Sequence, residues 1–418
     1  MFTKPQALLI RHRGRVRHLL VPRSCPPCAP AAEGPVGNST ATTGPARTRP
    51  VTGRVLTKAA AAVAVAAFVL AVAGPATAVS LADQQNLPEI AAEGPSNSLD
   101  YYYQSVPGVW HEEQVPGGGP GTTYSAPSLA QVGGTTVIAV EGPDNSLSDY
   151  VETGGTWQEQ QVAGSGTTFS APSVTGDTAN GGWRNAAEGL NNSLYFYYPA
   201  FIFHGFTIWR AQQVAKPGTT YSAPSLAETY QGLGIAAEGS GNSLDFYAQG
   251  TSGAWTAQQA AKPGTTYSAP SLAMLYTATA IAAEGPSNSL LFYTHANGPD
   301  TWHQQQLAIA GTTHSAPSLA QLAEPQRVGT FYYTVIAVQG PIGRFLDVYT
   351  KGPATALPWQ VSVPGTFNST WSAPSVTQVG GGTGVAAEGP NHTLNYYSQP
   401  APYGTWTSQQ VPGTGTYG

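Results

Sequence analysis

A glutamate stands immediately before a glycine six times at regular intervals along the 418-residue chain, at Glu93, Glu141, Glu188, Glu238, Glu284 and Glu388, and Gln339 takes the same place once more. Charged residues are only 9% of the sequence, so a carboxylate that returns this regularly needs a reason. Two are open. It can accept hydrogen bonds from vicinal sugar hydroxyls, a task an amide can share, or it can cap backbone N–H groups of the turn that follows. A tryptophan keeps the same rhythm at Trp110, Trp157, Trp209, Trp255, Trp302, Trp359 and Trp406. Each offers an indole face to the apolar side of a sugar ring, or fills the wedge between repeated units with its N–H bonded to a neighbour. A third set, Tyr124, Phe169, Tyr221, Tyr267, His314 and Trp371, precedes the segment Ser-Ala-Pro-Ser each time. Its changing size and polarity read as a pocket wall that differs from unit to unit. Tyr102, Tyr150, Tyr197, Tyr247, Tyr293, Tyr349 and Tyr397 each follow a recurring Leu by three residues, which puts them on the opposite strand face from it and reads as core.

Catalysis and cofactors find no support in this pattern. General acid–base chemistry wants two carboxylates together with environments that separate their pKa values, and here the carboxylates are spread evenly. Thr153-Gly-Gly-Thr-Trp157 is only a fragment of the SxDxGxTW box of sialidase-type propellers, whose arginine cluster is also missing. Calcium loops of DxDxD type are absent, and no histidines fall at HxH or HxxxH spacing. The expectation is a non-enzyme without metal or cofactor.

The elements that position these residues follow from an internal repeat. Ile90-AAEGPSNSLDYYY returns from Ile138, Asn185, Ile235 and Ile281, and in more diverged form from Ile336 and Val385. The shared glycines, Gly94, Gly142, Gly189, Gly239, Gly285, Gly340 and Gly389, are 48, 47, 50, 46, 55 and 49 residues apart, the period of a β-propeller blade. Each unit holds four short strand-like runs between Gly, Pro, Asn and Ser, as in Ser125–Val132, Thr135–Gly142, Asn145–Glu152 and Thr156–Val162. The turn Gly-Pro-Asp-Asn-Ser joins two of them, with Gly expected at positive φ and Asn and Ser closing it through their side chains. The first run is missing from the first unit unless Ala76–Ala82 supplies it. The fold class is therefore all-β: a seven-bladed β-propeller with four antiparallel strands per blade, preceded by a secretory signal peptide. Which strand is innermost stays open.

Ten of the 17 basic residues precede residue 59, and beyond residue 78 there are seven basic against 21 acidic side chains. Such a body has no electrostatic footprint for nucleic acid. The 15-residue apolar run Ala59–Ala73, with Ala76-Thr77-Ala78 after it, reads as a signal peptide cleaved after Ala78 or after Ala73. It is too short to span a bilayer comfortably. The expected organisation is an N-terminal extension over 1–57, disordered or not translated; the signal region over 58–78; and the propeller over 79–418. Cys25 and Cys28 fall in the extension and lack the context of a redox or metal motif, so the secreted chain has no cysteine.

With its small-residue strand, its turn of Gly-Pro-Asp-Asn-Ser-Leu type, an aromatic strand and a Gly-Trp strand, the unit resembles that of bacterial seven-bladed propeller lectins of the fucose-binding, insect-pathogen type, over residues 76–418. The resemblance implies sugars held in clefts between blades against an aromatic and a carboxylate. Two functions follow as expectations: a secreted multivalent lectin whose partners are glycans or glycoconjugates, or a secreted protein-binding scaffold. The scaffold reading looks to the apolar excursion Pro199–Ile208, with a protein partner at the Phe201–Phe206 loop, and to an enlarged loop around Gln321–Tyr333.

Overall fold

The computed structural model describes residues 87–412 except 204–205, 297–300, 328, 342–343 and 354–357, together with all side chains in these ranges but those of 202, 203 and 206. These residues belong to the compact unit Ala62–Gly418. The expected extension, signal peptide and first strand at Ala76–Ala82 lie outside them.

Among the described residues 27 strands form seven separate antiparallel sheets, each with its strands in sequence order. Six sheets have four strands: blade 2 (128–163), blade 3 (173–215), blade 4 (225–261), blade 5 (271–308), blade 6 (318–362) and blade 7 (375–410). Three strands of blade 1 (89–114) are described. This is the seven-bladed propeller that the repeat predicts. The second strand of blade 5, Ala278–Gly285, is buried at every position because both of its faces meet neighbouring blades, which is why it is built from Ala and Ile. The outer strand, His303–Ala308, is largely exposed.

The Ser-Ala-Pro-Ser strand is the innermost. First strands of consecutive blades contact one another, and the last Ser of each motif joins them. The hydroxyl of Ser128 accepts from the backbone N–H of Val174 (3.1 Å), Ser173 from Leu226, Ser225 from Leu272, Ser271 from Leu319 and Ser318 from Val376 (each 3.0 Å). These hydrogen bonds turn six separate sheets into a continuous inner wall. The ring closes between blades 7 and 1, where Ile90, Tyr102 and Trp110 pack with Leu394, Tyr396 and Val411.

The turn between second and third strands corrects one expectation. Gly94, Gly142 and Gly389 have φ of −91°, −86° and −105°, not positive values. The left-handed pair is the two residues after the proline: Ser96 and Asn97, Asp144 and Asn145, Ser287 and Asn288, with φ between 55° and 63°. Two consecutive left-handed residues make the tight turn whose twist suits a hairpin, and Asn tolerates that region best among residues with a side chain. The glycine is required for space instead, since a Cβ at Gly142 would lie 2.5 Å from the Ser146 hydroxyl.

Two blades depart from the pattern. In blade 6 the expected enlarged loop is a longer hairpin, Ser318–Gln326 paired with Gly329–Gln339. Between blades 2 and 3 the core is split into two apolar clusters by polar residues. Asp149 and Asn185 occupy places that other blades fill with an aromatic or Val and with Ile or Val. Asp149 is fully buried, and its Oδ2 accepts from Trp183 Nε1 (2.6 Å) and Asn185 Nδ2 (2.9 Å).

Candidate ligand sites at the blade junctions

The chain passes from one blade to the next through a short loop, and the junction of blades 3 and 4 shows how it is held. Gly218 N–H donates to the carbonyl of Asn191 (2.8 Å), and Thr219 and Thr220 both donate to that of Asn192 (2.9 and 3.0 Å), so the loop rests on the left-handed turn of blade 3. The next residue, Tyr221, donates its N–H to the carbonyl of Glu238 in blade 4 (2.9 Å), and Ser222 Oγ accepts from Glu238 N–H (3.1 Å). Tyr221 thereby sits beside the carboxylate of the next blade, with its hydroxyl bonded back to the Gly218 carbonyl (3.2 Å). The same backbone bond joins Tyr124 to Glu141, Phe169 to Glu188, Tyr267 to Glu284, His314 to Gln339 and Trp371 to Glu388. The third predicted set is therefore brought next to the first at six junctions. Its rings stay accessible, from 38% exposed at Phe169 to 47% at Tyr124 and Tyr267.

The glutamates serve the turn through a side chain, and neither alternative read from the sequence anticipated that. Oε1 of Glu93, Glu141, Glu188, Glu238 and Glu284 accepts from the amide of the Asn four residues on, at 2.6 to 2.8 Å, and Glu388 pairs with His392 Nδ1 at 2.8 Å. Gln339 Nε2 donates instead to the Thr370 carbonyl (2.6 Å). Burial raises the pKa of Glu93, Glu188, Glu238, Glu284 and Glu388 above the usual carboxylate range. Glu188 is pushed up to about 7: desolvation is the main cause, the bond from Asn192 opposes it, and the charges of Glu141 and Glu238 on the flanking blades add to it. The glutamates thus sense one another from blade to blade.

The tryptophans lie elsewhere, on the outer strands and between blades. Trp157 stands edge-on to Tyr101 (5.1 Å between centroids), Trp110 to Tyr396 (5.1 Å), Trp255 to Phe196 (5.1 Å), Trp302 to Phe246 (5.1 Å) and Trp359 to Phe292 (5.2 Å). The indole N–H reaches into the preceding blade: Trp110 to Gln409, Trp255 to Gln212, Trp302 to Gln258, Trp359 to Gln305 and Trp406 to Ser362. Trp209 packs beside Trp183 at 6.0 Å. The seven recurring tyrosines are all buried, as their strand face predicts.

The sequence reading passed over two partners of the site. One is the turn Asn, which orients the carboxylate; its recurrence four residues after five of the six glutamates was the available signal. The other is the second Thr of the loop, Thr123, Thr168, Thr220, Thr266, Thr313 and Thr370, fully buried with a hydroxyl that no described residue bonds. In blade 3, Phe201 (55% exposed) faces Ile208 across the long hairpin Ser193–Phe203 and Phe206–Ala215. No described helix is long and apolar enough to cross a membrane, and no described group of three His, Cys, Asp or Glu side chains is placed to hold a metal ion.

No protein-family model matches the sequence, and no curated protein sequence matches it. Solved structures do. The BP39L lectin of Burkholderia pseudomallei superposes with a TM-score of 0.64 at 16% identity, over 78% of this chain and 96% of that one. The chain shares that lectin's fold. Lower similarity, with TM-scores of 0.48 and 0.46, relates it to AofleA of Arthrobotrys oligospora (14% identity; 69% and 85% of the two chains) and to the fucose-recognising, six-bladed lectin of Aleuria aurantia (13%; 68% and 92%).

Proposed function

We propose that the protein is a secreted, multivalent carbohydrate-binding propeller without enzymatic activity, with one sugar site at each blade junction. The observation that carries this reading is the sixfold recurrence, on one backbone geometry, of an exposed aromatic residue bonded through its backbone N–H to the Glu of the next blade, with Gln339 in the place of Glu beside His314. An aromatic face takes the apolar side of a pyranose, and the carboxylate, oriented through one oxygen by the turn Asn, accepts from its hydroxyls. The fold shared with BP39L, itself a lectin, supports the reading. A single shallow site of this kind binds weakly, and a rigid ring of them gains avidity on a surface that presents several sugars.

A broad glycan array probed with residues 79–418 tests this, alongside Tyr221→Ala and Tyr267→Ala variants. Binding that falls in each variant while the unfolding midpoint is kept supports the junction sites. Folded protein that is silent on every glycan refutes them and directs attention to partner capture at the Phe201 hairpin.

A further inference from the structure

Blade 6 breaks the junction motif in two coupled places. Its carboxylate is Gln339, and the residue in the place of the turn Asn is Arg344. The equivalence is one of backbone: Arg344 has φ of 50°, in the left-handed region shared by the turn asparagines, and Thr370 N–H donates to the Arg344 carbonyl (2.9 Å) as Thr168 does to Asn145 and Thr220 to Asn192. With no amide there to hold a carboxylate, Gln339 turns to the Thr370 carbonyl. The Arg344 side chain lies over Trp371, its guanidinium carbon 4.1 Å from the ring centroid. The junction loop, running from Pro364 to Trp371, carries the exposed Phe367 edge-on to Phe345 at 6.0 Å.

We infer that the junction of blades 6 and 7 is the subsite for a carboxylate-bearing sugar, while the other junctions take neutral ones; the inference rests on the lectin reading above. Arg344 is exposed and makes no ion pair with any described residue, whereas Arg184 is tied to Asp177 at 2.9 Å. The junction keeps its own carboxylate in Glu388, which is 4% exposed, has Oε1 bonded to His392 and feels the Arg344 charge, which works against the rise that burial gives its pKa. A guanidinium stacked on an indole keeps its N–H edge in the ring plane and free, and that edge matches both oxygens of a carboxylate. Gln339, bonded to the Thr370 carbonyl of this junction, puts a neutral amide where a second carboxylate would add to the repulsion of such a ligand. Lys351, the other described cation over an aromatic ring, stands above the wedge Trp359 at 5.9 Å and not at a junction aromatic.

The test compares 3′-sialyllactose with lactose, by calorimetry and on the array, for the parent and for Arg344→Asn. Asn is the residue that blades 1 to 5 carry at this left-handed position, so the variant keeps the turn. The parent is expected to prefer the sialylated sugar, with a preference that shrinks as NaCl is raised. The variant should lose on the order of 10- to 100-fold of that affinity, the worth of one charge-assisted contact, with lactose binding unchanged. Neutral glycans bound equally by both proteins, without preference for the acid, overturn this inference and leave the lectin reading standing. Failure of every glycan to bind removes both.

Discussion

Replacing Asp149 by Asn should stabilise the protein at neutral pH and remove part of its pH dependence. Asp149 has no ion-pair partner, and burial raises its pKa from 3.8 to about 7 against the lowering bonds from Trp183 and Asn185. The folded chain therefore holds this proton more tightly than the unfolded chain does. As pH climbs past about 4, the unfolded chain releases the proton first, and folding stability falls until the folded carboxyl ionises near pH 7. A gap of roughly 3 pKa units at 1.36 kcal/mol each is about 4 kcal/mol lost across that window. Asp149 Oδ1 and Asn185 Oδ1 are both buried acceptors without a described partner, so a proton on Asp149 supplies a donor where the carboxylate offers only acceptors, while Asn185 Nδ2 already serves Oδ2. An amide at 149 supplies that donor at every pH. Urea unfolding of parent and variant from pH 4 to pH 8 reads the effect as a difference, which cancels Asp100, Asp347 and Glu188, whose raised pKa values slope the same way. The two stabilities should be close at pH 4 and diverge by about 4 kcal/mol in favour of the variant by pH 8. A gap that does not change with pH would refute the reasoning.

Three further outcomes follow from the packing. Trp302→Ala should cost about 3 kcal/mol, because it empties the wedge against Phe246, and a urea-measured loss below about 1 kcal/mol would remove the wedge role. Ser225→Ala leaves the buried N–H of Leu272 without its acceptor, so it should lose about 1–3 kcal/mol and speed hydrogen exchange at that amide above all others in blade 5. Asn242→Ala strains a residue at φ 64° and takes the bond from Glu238, whereas Asn242→Gly takes only the bond; both should raise the Glu238 pKa by NMR titration, and only the Ala variant should pay the additional cost of about 1–2 kcal/mol for the left-handed backbone.

Much of the architecture was legible because the repeat writes it out seven times. Glu-Gly or Gln-Gly at intervals of 46 to 55 residues, strand-length runs between turn residues and one Trp per unit leave few alternatives to a ring of similar blades. The roles inside each unit were less legible. Trp and Glu were both open to sugar binding, because residue type and spacing do not say which side chain faces a neighbouring blade. The conspicuous Trp packs against an aromatic of the preceding blade in five units, while the aromatic before Ser-Ala-Pro-Ser, the most variable of the three sets, is the more exposed. The glycine of the turn was misread for a similar reason: its spacing announces a turn, but only the packed Ser146 hydroxyl shows that it is there for want of room.

By itself the sequence determined the number of blades, the strands within each and the position of every tight turn, since these depend on local periodicity and on residues that are neighbours along the chain. Only the tertiary structure decided that the Ser-Ala-Pro-Ser strand lies at the axis, that five of the glutamates are held by an Asn of their own turn and Glu388 by His392, that Asp149 is sealed between two blades and that Arg344 lies over Trp371. The last two bring together residues 36 and 27 positions apart and across a blade junction. A charge that is sealed in and a charge that is stacked at the surface look alike in a sequence, and what separates them is the solvent that closure of the ring removes from one and leaves to the other.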